Sequence, residues 1–169
     1  MKKYYKISIL LAGFCLLLSG MSACWRLPAD ITTLTDDEIY IIVEPCLETN
    51  GEPAPLVTFE EISLGTGTLD RNYINPDAGG LFSQGERCFL ISGTIRNEYN
   101  EGSWVAYHAE GYDEEGNVVS YTLDEGPVAG IAQQYIDGTS TGEFTLHLSW
   151  SDNVFIFRIS SQNSDVMFP

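Results

Sequence analysis

Lysine is almost missing from this 169-residue chain. Lys2, Lys3 and Lys6 are its lysines, and none follows. Beyond residue 6 the positive charge rests on Arg26, Arg71, Arg87, Arg96 and Arg158. Against these stand 24 acidic residues, a formal charge of −19. Such a surface repels phosphate backbones and anionic head groups, which excludes a nucleic-acid-binding role. Histidine is scarce too. His108 and His147 show no ligand spacing to any cysteine, so no zinc-type site is indicated. The chain has one long apolar run, residues 7–18, too short to cross a bilayer comfortably. No internal repeat is visible. Aromatic residues, by contrast, are plentiful, and Gly and Pro punctuate the apolar runs, the pattern of a folded chain.

The run of residues 7–18 follows the basic start Met1-Lys2-Lys3-Tyr4-Tyr5-Lys6 and precedes Ser19-Gly20-Met21-Ser22-Ala23. That order is the layout of a secretory signal. Its end, Met21-Ser22-Ala23-Cys24, resembles the lipobox of bacterial lipoproteins, with Met21 where Leu is usual. The resemblance implies diacylglycerol on Cys24 and cleavage just before it. An ordinary signal cleaved near Ala23 is the alternative. Two or three acyl chains hold a protein stably on a membrane. Trp25 follows the cysteine, so the Asp of the lipoproteins' inner-membrane retention signal is not there. The expected location is a cell membrane or outer membrane, on its extracytoplasmic face.

With Cys24 lipidated, Cys46 and Cys88 are the two thiols of the exported part. In an oxidising compartment such a pair is a disulfide candidate, and a bridge over that loop would contribute about 4 kcal/mol. Two separately buried thiols are the alternative.

Residues 24–34 read as a tether. Thr35-Asp36-Asp37-Glu38 has a capping-box pattern, and Ile39, Ile42 and Val43 share a helical face before Pro45. A short helix at about 36–44 is expected, with a β-branched strand over 39–43 as its competitor. Residues 56–64 suggest a strand, and the Gly-, Asp- and Asn-rich stretch 65–86 a long loop. Strands follow over 88–96, 104–112, 118–123, 128–136, 144–150 and 155–159. Asp113-Glu114-Glu115-Gly116-Asn117 is a hairpin turn between two of them. Phe144, Leu146, Leu148 and Trp150 alternate with Thr145, His147 and Ser149. This predicts the first set in a core with Phe89, Ile91, Phe155 and Phe157, and His147 facing solvent. The organisation is a signal over 1–23, a tether over 24–34, an extension over 35–87 and a β-unit over 88–169, the last two in one compact body. The fold class is mainly β: an antiparallel immunoglobulin-like two-sheet sandwich with a short N-terminal helix after the signal peptide.

The stretch from about 89 to 160 resembles the FxLYD-type domains, immunoglobulin-like sandwiches of exported prokaryotic lipoproteins. Three groups of residues carry the likeness: Ser92-Gly93-Thr94-Ile95-Arg96-Asn97; Tyr112-Asp113 with Gly116-Asn117; and Ile136-Asp137-Gly138 before Phe144-Thr145-Leu146. Ala109 and Gly111 stand where the family has Phe and Leu, and Asp137 where it has Pro. The resemblance implies a sandwich and carries over no active site.

No catalytic residue or cofactor is assigned. Gly138-Thr139-Ser140-Thr141-Gly142 matches the serine-hydrolase elbow pattern, but that elbow needs a following helix and here a strand follows, so a small-residue turn is expected. Asp113, Glu115 and Asn117 are weak candidate calcium ligands that a turn explains equally well. The Asp70 to Asp77 loop is a similar candidate. Trp104, Tyr107, Tyr112 and Tyr121 are a candidate aromatic patch for an envelope protein or a glycan, with cross-strand packing as the alternative. The expected role is a lipid-anchored, extracytoplasmic module for binding or structure. The second reading is an accessory protein that binds a cation or small ligand through its acidic loops.

Overall fold

Alternating apolar residues over most of the chain produce strands, and the computed structural model is mainly β. It describes residues 31–33, 39–76, 79–124 and 129–167. The expected signal, Cys24 and the expected tether up to residue 30 lie outside the described residues, while Ile31–Thr33, placed in that tether, form a short strand.

The larger sheet is built on two long neighbours, β8 (Ser103–Tyr112) and β12 (Ile156–Ser164), paired antiparallel along their length. On the far side of β8 lie β9 (Val118–Tyr121) and β10 (Ala132–Ile136), both antiparallel to it. On the far side of β12 lie β2 (Tyr40–Val43) and β3 (Leu47–Glu48), with β1 (Ile31–Thr33) outside β2. The second sheet is antiparallel, in the order β11 (Ser140–Ser149), β7 (Arg87–Asn97), β4 (Val57–Thr68). A small hairpin, β5 (Tyr73–Asn75) and β6 (Gly80–Phe82), forms a third sheet.

Three expectations are corrected here. Among the described residues 39–44 there is no helix. Ile41, Ile42 and Val43 lie in β2, where β-branched side chains fit and where β12 offers a partner. Pairing with a distant strand outweighs a local capping signal. Second, β2 and β3 run parallel to β12, so the larger sheet is mixed rather than wholly antiparallel. Third, the stretch 65–86 is not one long loop. β4 runs on to Thr68, and the β5–β6 hairpin fills much of the rest. The glycines there misled: Gly65 and Gly67 sit within β4, beside Leu90 and Cys88 of β7.

The two large sheets share one core. Ile41, Val105, Tyr107, Ala109, Phe157 and Ile159 come from the first, and Val57, Phe89, Ile91, Ile95, Phe144, Leu146 and Leu148 from the second. Six of the eight residues predicted for this core are buried in it. Trp150 is partly buried and stacks on Phe89 at 4.3 Å. Phe155 is the exception, 37% exposed. It precedes β12 rather than lying in it, and its ring meets the edge of Tyr40. A second, smaller cluster forms where the β5–β6 hairpin covers the outer face of the three-stranded sheet. Leu69, Tyr73, Cys88 and Leu123 are buried there, against Phe82 and Leu90.

The Cys46–Cys88 bridge is not formed, and both thiols are free and buried. They sit in different clusters. Cys46 leads into β3, and the neighbouring Glu48 bonds Tyr99, just past the end of β7. Cys88 lies at the start of β7. The ten residues from Cys88 to Asn97 span about 30 Å of extended strand, whereas a bridge needs Cα atoms within about 7 Å. Burial pushes both thiols up from their ordinary pKa.

Candidate functional site

Strand alternation sorts the residues of β8 and β12 into two faces. Val105, Tyr107 and Ala109 point into the core opposite Asn163, Ser161 and Ile159. The other set faces outward: Trp104, Ala106, His108, Glu110 and Tyr112, opposite Ser164, Gln162, Ser160, Arg158 and Ile156. This outer face is polar along its middle and aromatic at its ends. The Arg158 guanidinium lies 5.3 Å from the centre of the Tyr112 ring. Tyr112 donates a very short hydrogen bond to Glu110, which with burial raises its pKa to about 12. Tyr121 lies beside Glu110 through the β8–β9 pairing. At the other end the Trp104 and Tyr135 rings meet edge-on at 5.5 Å, and Tyr135 is 48% exposed. Between them runs a groove of about 520 Å³, floored by Ala106, His108, Ile131, Ser160 and Gln162 and walled by the turn at 47–51. Ser160 is held by a 2.7 Å hydrogen bond to Glu44. Of the four aromatics expected in a patch, Tyr107 is corrected. It is 5% exposed and packs edge-on against Phe59 and Phe144. Its odd place in the alternation puts it on the core side.

His147 is a second correction. It lies on the face of β11 away from the main core, but it does not face solvent, because the hairpin and the segment after β9 cover it. Leu123 donates to the His147 carbonyl at 2.7 Å, which brings Asp124 alongside. The Asp124 carboxylate then accepts the His147 backbone N–H at 2.5 Å and meets Nδ1 at 3.0 Å. That hydrogen bond raises the His147 pKa against the opposing effect of burial. The Tyr73 ring lies 5.5 Å from the imidazole, and its hydroxyl donates to Asp70 at 2.7 Å. Burial and that bond lift Tyr73 to about 12, while the bond lowers Asp70. A His–Asp couple thus exists where the sequence pointed to none. Asp124 lies 23 positions upstream of His147, and only the crossing of the 122–124 segment onto β11 brings them together. Ser140 is not part of it. It begins β11 rather than sitting in a free turn, and its hydroxyl donates to the Asp137 carbonyl at 2.7 Å. Seven residues of strand, about 23 Å, separate it from His147. Cys88 shares the hairpin-covered cluster, but burial is the main cause holding its thiol in the neutral form, and the nearby Asp124 and Asp70 add to it.

The three candidate calcium ligands build a turn. Asp113 Oδ1 accepts the backbone N–H groups of Glu115 at 3.0 Å and Asn117 at 2.8 Å, and Oδ2 accepts Asn117 Nδ2 at 3.0 Å. These bonds lower the Asp113 pKa, with the Asn117 side chain foremost. Gly116, at φ +87°, supplies the left-handed residue the turn requires. In the other acidic loop Asp70 accepts from Tyr73, and Asp77 lies outside the described residues. Among the described residues, no group of three or more His, Cys, Asp or Glu is placed to hold a metal ion.

Fold and site together define a mainly β protein with an open groove on its larger sheet. No protein-family model matches the chain, and no curated protein does. Among solved structures it is similar to Campylobacter jejuni cj0090, at 13% identity and a TM-score of 0.38, over 71% of this chain and 98% of that one. It is similar also to a DUF1425 family member from Shewanella sp. pv-4, at 15% identity and a TM-score of 0.33, over 63% of this chain and 81% of the other. Likenesses at these scores carry no inference about what this chain does.

Proposed function

We propose that this protein is a lipid-anchored, extracytoplasmic module of the cell envelope, an immunoglobulin-like β-sandwich that works by binding an envelope protein or a glycan. The signal and Met21-Ser22-Ala23-Cys24 support the anchor and the compartment. Two sheets closing on one core support the sandwich. The observation that carries the binding role is the groove along β8 and β12. It combines apolar Leu47, Ala106 and Ile131 with the hydrogen-bonding side chains of His108, Ser160 and Gln162, a mixture that suits recognition surfaces, and aromatic residues lie along the same strands beyond it. The formal charge of −19 keeps the body clear of anionic head groups, so the lipid at Cys24 makes the membrane contact and the groove stays open to a partner.

The test combines anchoring with site-specific photo-cross-linking in native membranes. A cross-linking residue in place of His108 is expected to trap discrete partner species, and one in place of Thr145, on the other sheet's outer face, is not. Equal trapping from both positions would sink the groove reading. Cys24→Ser is expected to release the protein from membranes or leave its precursor uncut, and unchanged membrane partitioning with normal processing would sink the anchor.

A further inference from the structure

Among the described strands, β5 and β6 pair only with each other, so no strand ladder joins the hairpin to the body. It lies over the outer face of the three-stranded sheet, where it covers Cys88 and Leu90 of β7. The residues that follow β9 share in this cover. Thr122 is fastened to Ala109 of β8: its hydroxyl accepts the Ala109 N–H at 2.8 Å and donates to the Ala109 carbonyl at 2.9 Å. The Asn75 side chain ties the hairpin to the same point, through the Thr122 carbonyl at 2.7 Å. Thr122 is therefore the pivot. Beyond it the cover is fastened to β11 at one residue, His147. The His147 carbonyl accepts the Leu123 N–H at 2.7 Å. Its own N–H donates to Asp124 at 2.5 Å, and its Nδ1 meets the other Asp124 oxygen at 3.0 Å. The Tyr73 ring of the hairpin packs on the imidazole at 5.5 Å. The two side chains of the pair are 21% and 18% exposed, so protons from solvent reach them.

We propose that the His147–Asp124 pair is a pH-sensitive clasp: with the imidazole protonated it holds residues 123–124 and the β5–β6 hairpin shut over Cys88 and Leu90, and on deprotonation this cover opens more often while the two larger sheets stay folded. Among the described residues, the titratable and charged groups around His147 are Asp124 on the 122–124 segment, Asp70, Arg71 and Tyr73 on the hairpin side, and Cys88 on β7. The Asp124 hydrogen bond acts most strongly on the imidazole and favours its proton. Burial opposes it, the charges of Asp124 and Asp70 favour it, Arg71 opposes it, and the balance is upward. The closed cover thus holds the proton more tightly than an open one does. Closure is favoured in full below the ordinary histidine value of about 6.5, and the preference fades as pH rises through the closed-state value. A neutral imidazole still donates from Nδ1 in one tautomer, so the clasp weakens rather than vanishes. The groove on the larger sheet plays no part in this device, which stands or falls independently of the binding role proposed there.

The experiment is amide-resolved hydrogen exchange by NMR on the full chain in detergent micelles, at pH 6 and pH 8.5, with each rate divided by its intrinsic value at that pH. Protection of the Leu123 and His147 amides, the two that bridge cover and β11, should fall roughly three- to tenfold at the higher pH, the difference between a charged and a neutral hydrogen bond. Amides of residues 89–95 in β7, a strand paired on both sides, should keep their protection. The Tyr73 ring signals should titrate together with the His147 imidazole. In Asp124→Asn the side-chain oxygen still accepts the His147 N–H but the charge is gone, and the pH response at Leu123 and His147 should disappear. Three results would each overturn the proposal: protection at these two amides that stays flat or rises with pH, an equal fall at residues 89–95, or a native pH response in Asp124→Asn. The native-chain measurements decide the matter even where that variant does not fold.

Discussion

Asn97 shows how much a single polar residue can organise. Fully buried at the end of β7, it donates to the carbonyls of Glu101 at 3.0 Å and Ile136 at 3.2 Å and accepts the Tyr99 backbone N–H at 2.9 Å. It therefore ties the 98–102 link to the end of β10. Asn97→Ala leaves those carbonyls without their donor, and a loss of about 1–3 kcal/mol is expected in urea unfolding. An unchanged midpoint would show that water replaces the amide freely. Leu146, also fully buried, contributes through packing instead, and Leu146→Ala should cost about 2–5 kcal/mol by the same measurement. Ser140→Ala removes a hydrogen bond at a half-buried strand end and should change little. Gly138 nearby is glycine for steric reasons, since a Cβ there would lie 2.2 Å from the Asn100 carbonyl oxygen. His147 adds a pH-dependent increment. Its folded pKa is raised by Asp124, so its stabilising contribution is complete below the unfolded value of about 6.5 and fades as pH rises through the folded value. The stability gap between the native chain and His147→Asn should therefore be wider at pH 6 than at pH 9. A gap that widens with pH would contradict this coupling.

The β5–β6 hairpin is an added lobe rather than part of the two larger sheets. Its own core is small, and it exposes Ile74 and Leu81, which face each other across the pair at 58% and 65% exposure. It is tied down by Asn75, whose Nδ2 donates to the Thr122 carbonyl at 2.7 Å, and by Tyr73 packing on His147. Asn75→Ala should speed hydrogen exchange over residues 70–85 while β7 and β11 keep their protection. Uniform loss of protection across the domain would mean that the lobe and the two larger sheets unfold as one. Another element-scale feature is the irregularity in β4 between Glu60 and Ser63, where Glu61 has φ 54°. Bulges of this kind make an edge strand harder to extend with another chain, and β4 is the edge of its sheet.

Two properties belong to the molecule as a whole. The first is its charge, which governs solubility and partners rather than fold. The second is its redox state. Two thiols such as Cys46 and Cys88 invite a bridge in an oxidising compartment, yet the fold holds them toward opposite ends of β7, each shielded: Cys46 is 5% exposed and Cys88 fully buried. Without reductant, an alkylating reagent should add to both thiols in denaturant and to neither, or only slowly, in the native protein. Mass spectrometry reads this directly. Protection of both thiols in denaturant until reductant is added would restore the bridge.

The main strands were legible because period-two alternation is a local property, most cleanly in β11, where Phe144, Leu146 and Leu148 alternate with Thr145, His147 and Ser149. The Asp113–Asn117 turn was legible for the same reason, since its bonds stay within five residues. Where partners were distant in sequence, local signals failed. The stretch 39–43 could be helix or strand until β12 was there to pair with it, and the glycines of β4 suggested a loop until β7 lay alongside. Tyr107 and His147 alternate as expected, but which face is covered depends on what lies over it. The His147–Asp124 couple and the cover it fastens leave no pattern in the chain, because each is assembled from segments that tertiary packing alone brings together. The sequence by itself determined the charge and most of the strands. The tertiary structure decided which residues those strands bury and which polar groups they bring within bonding distance.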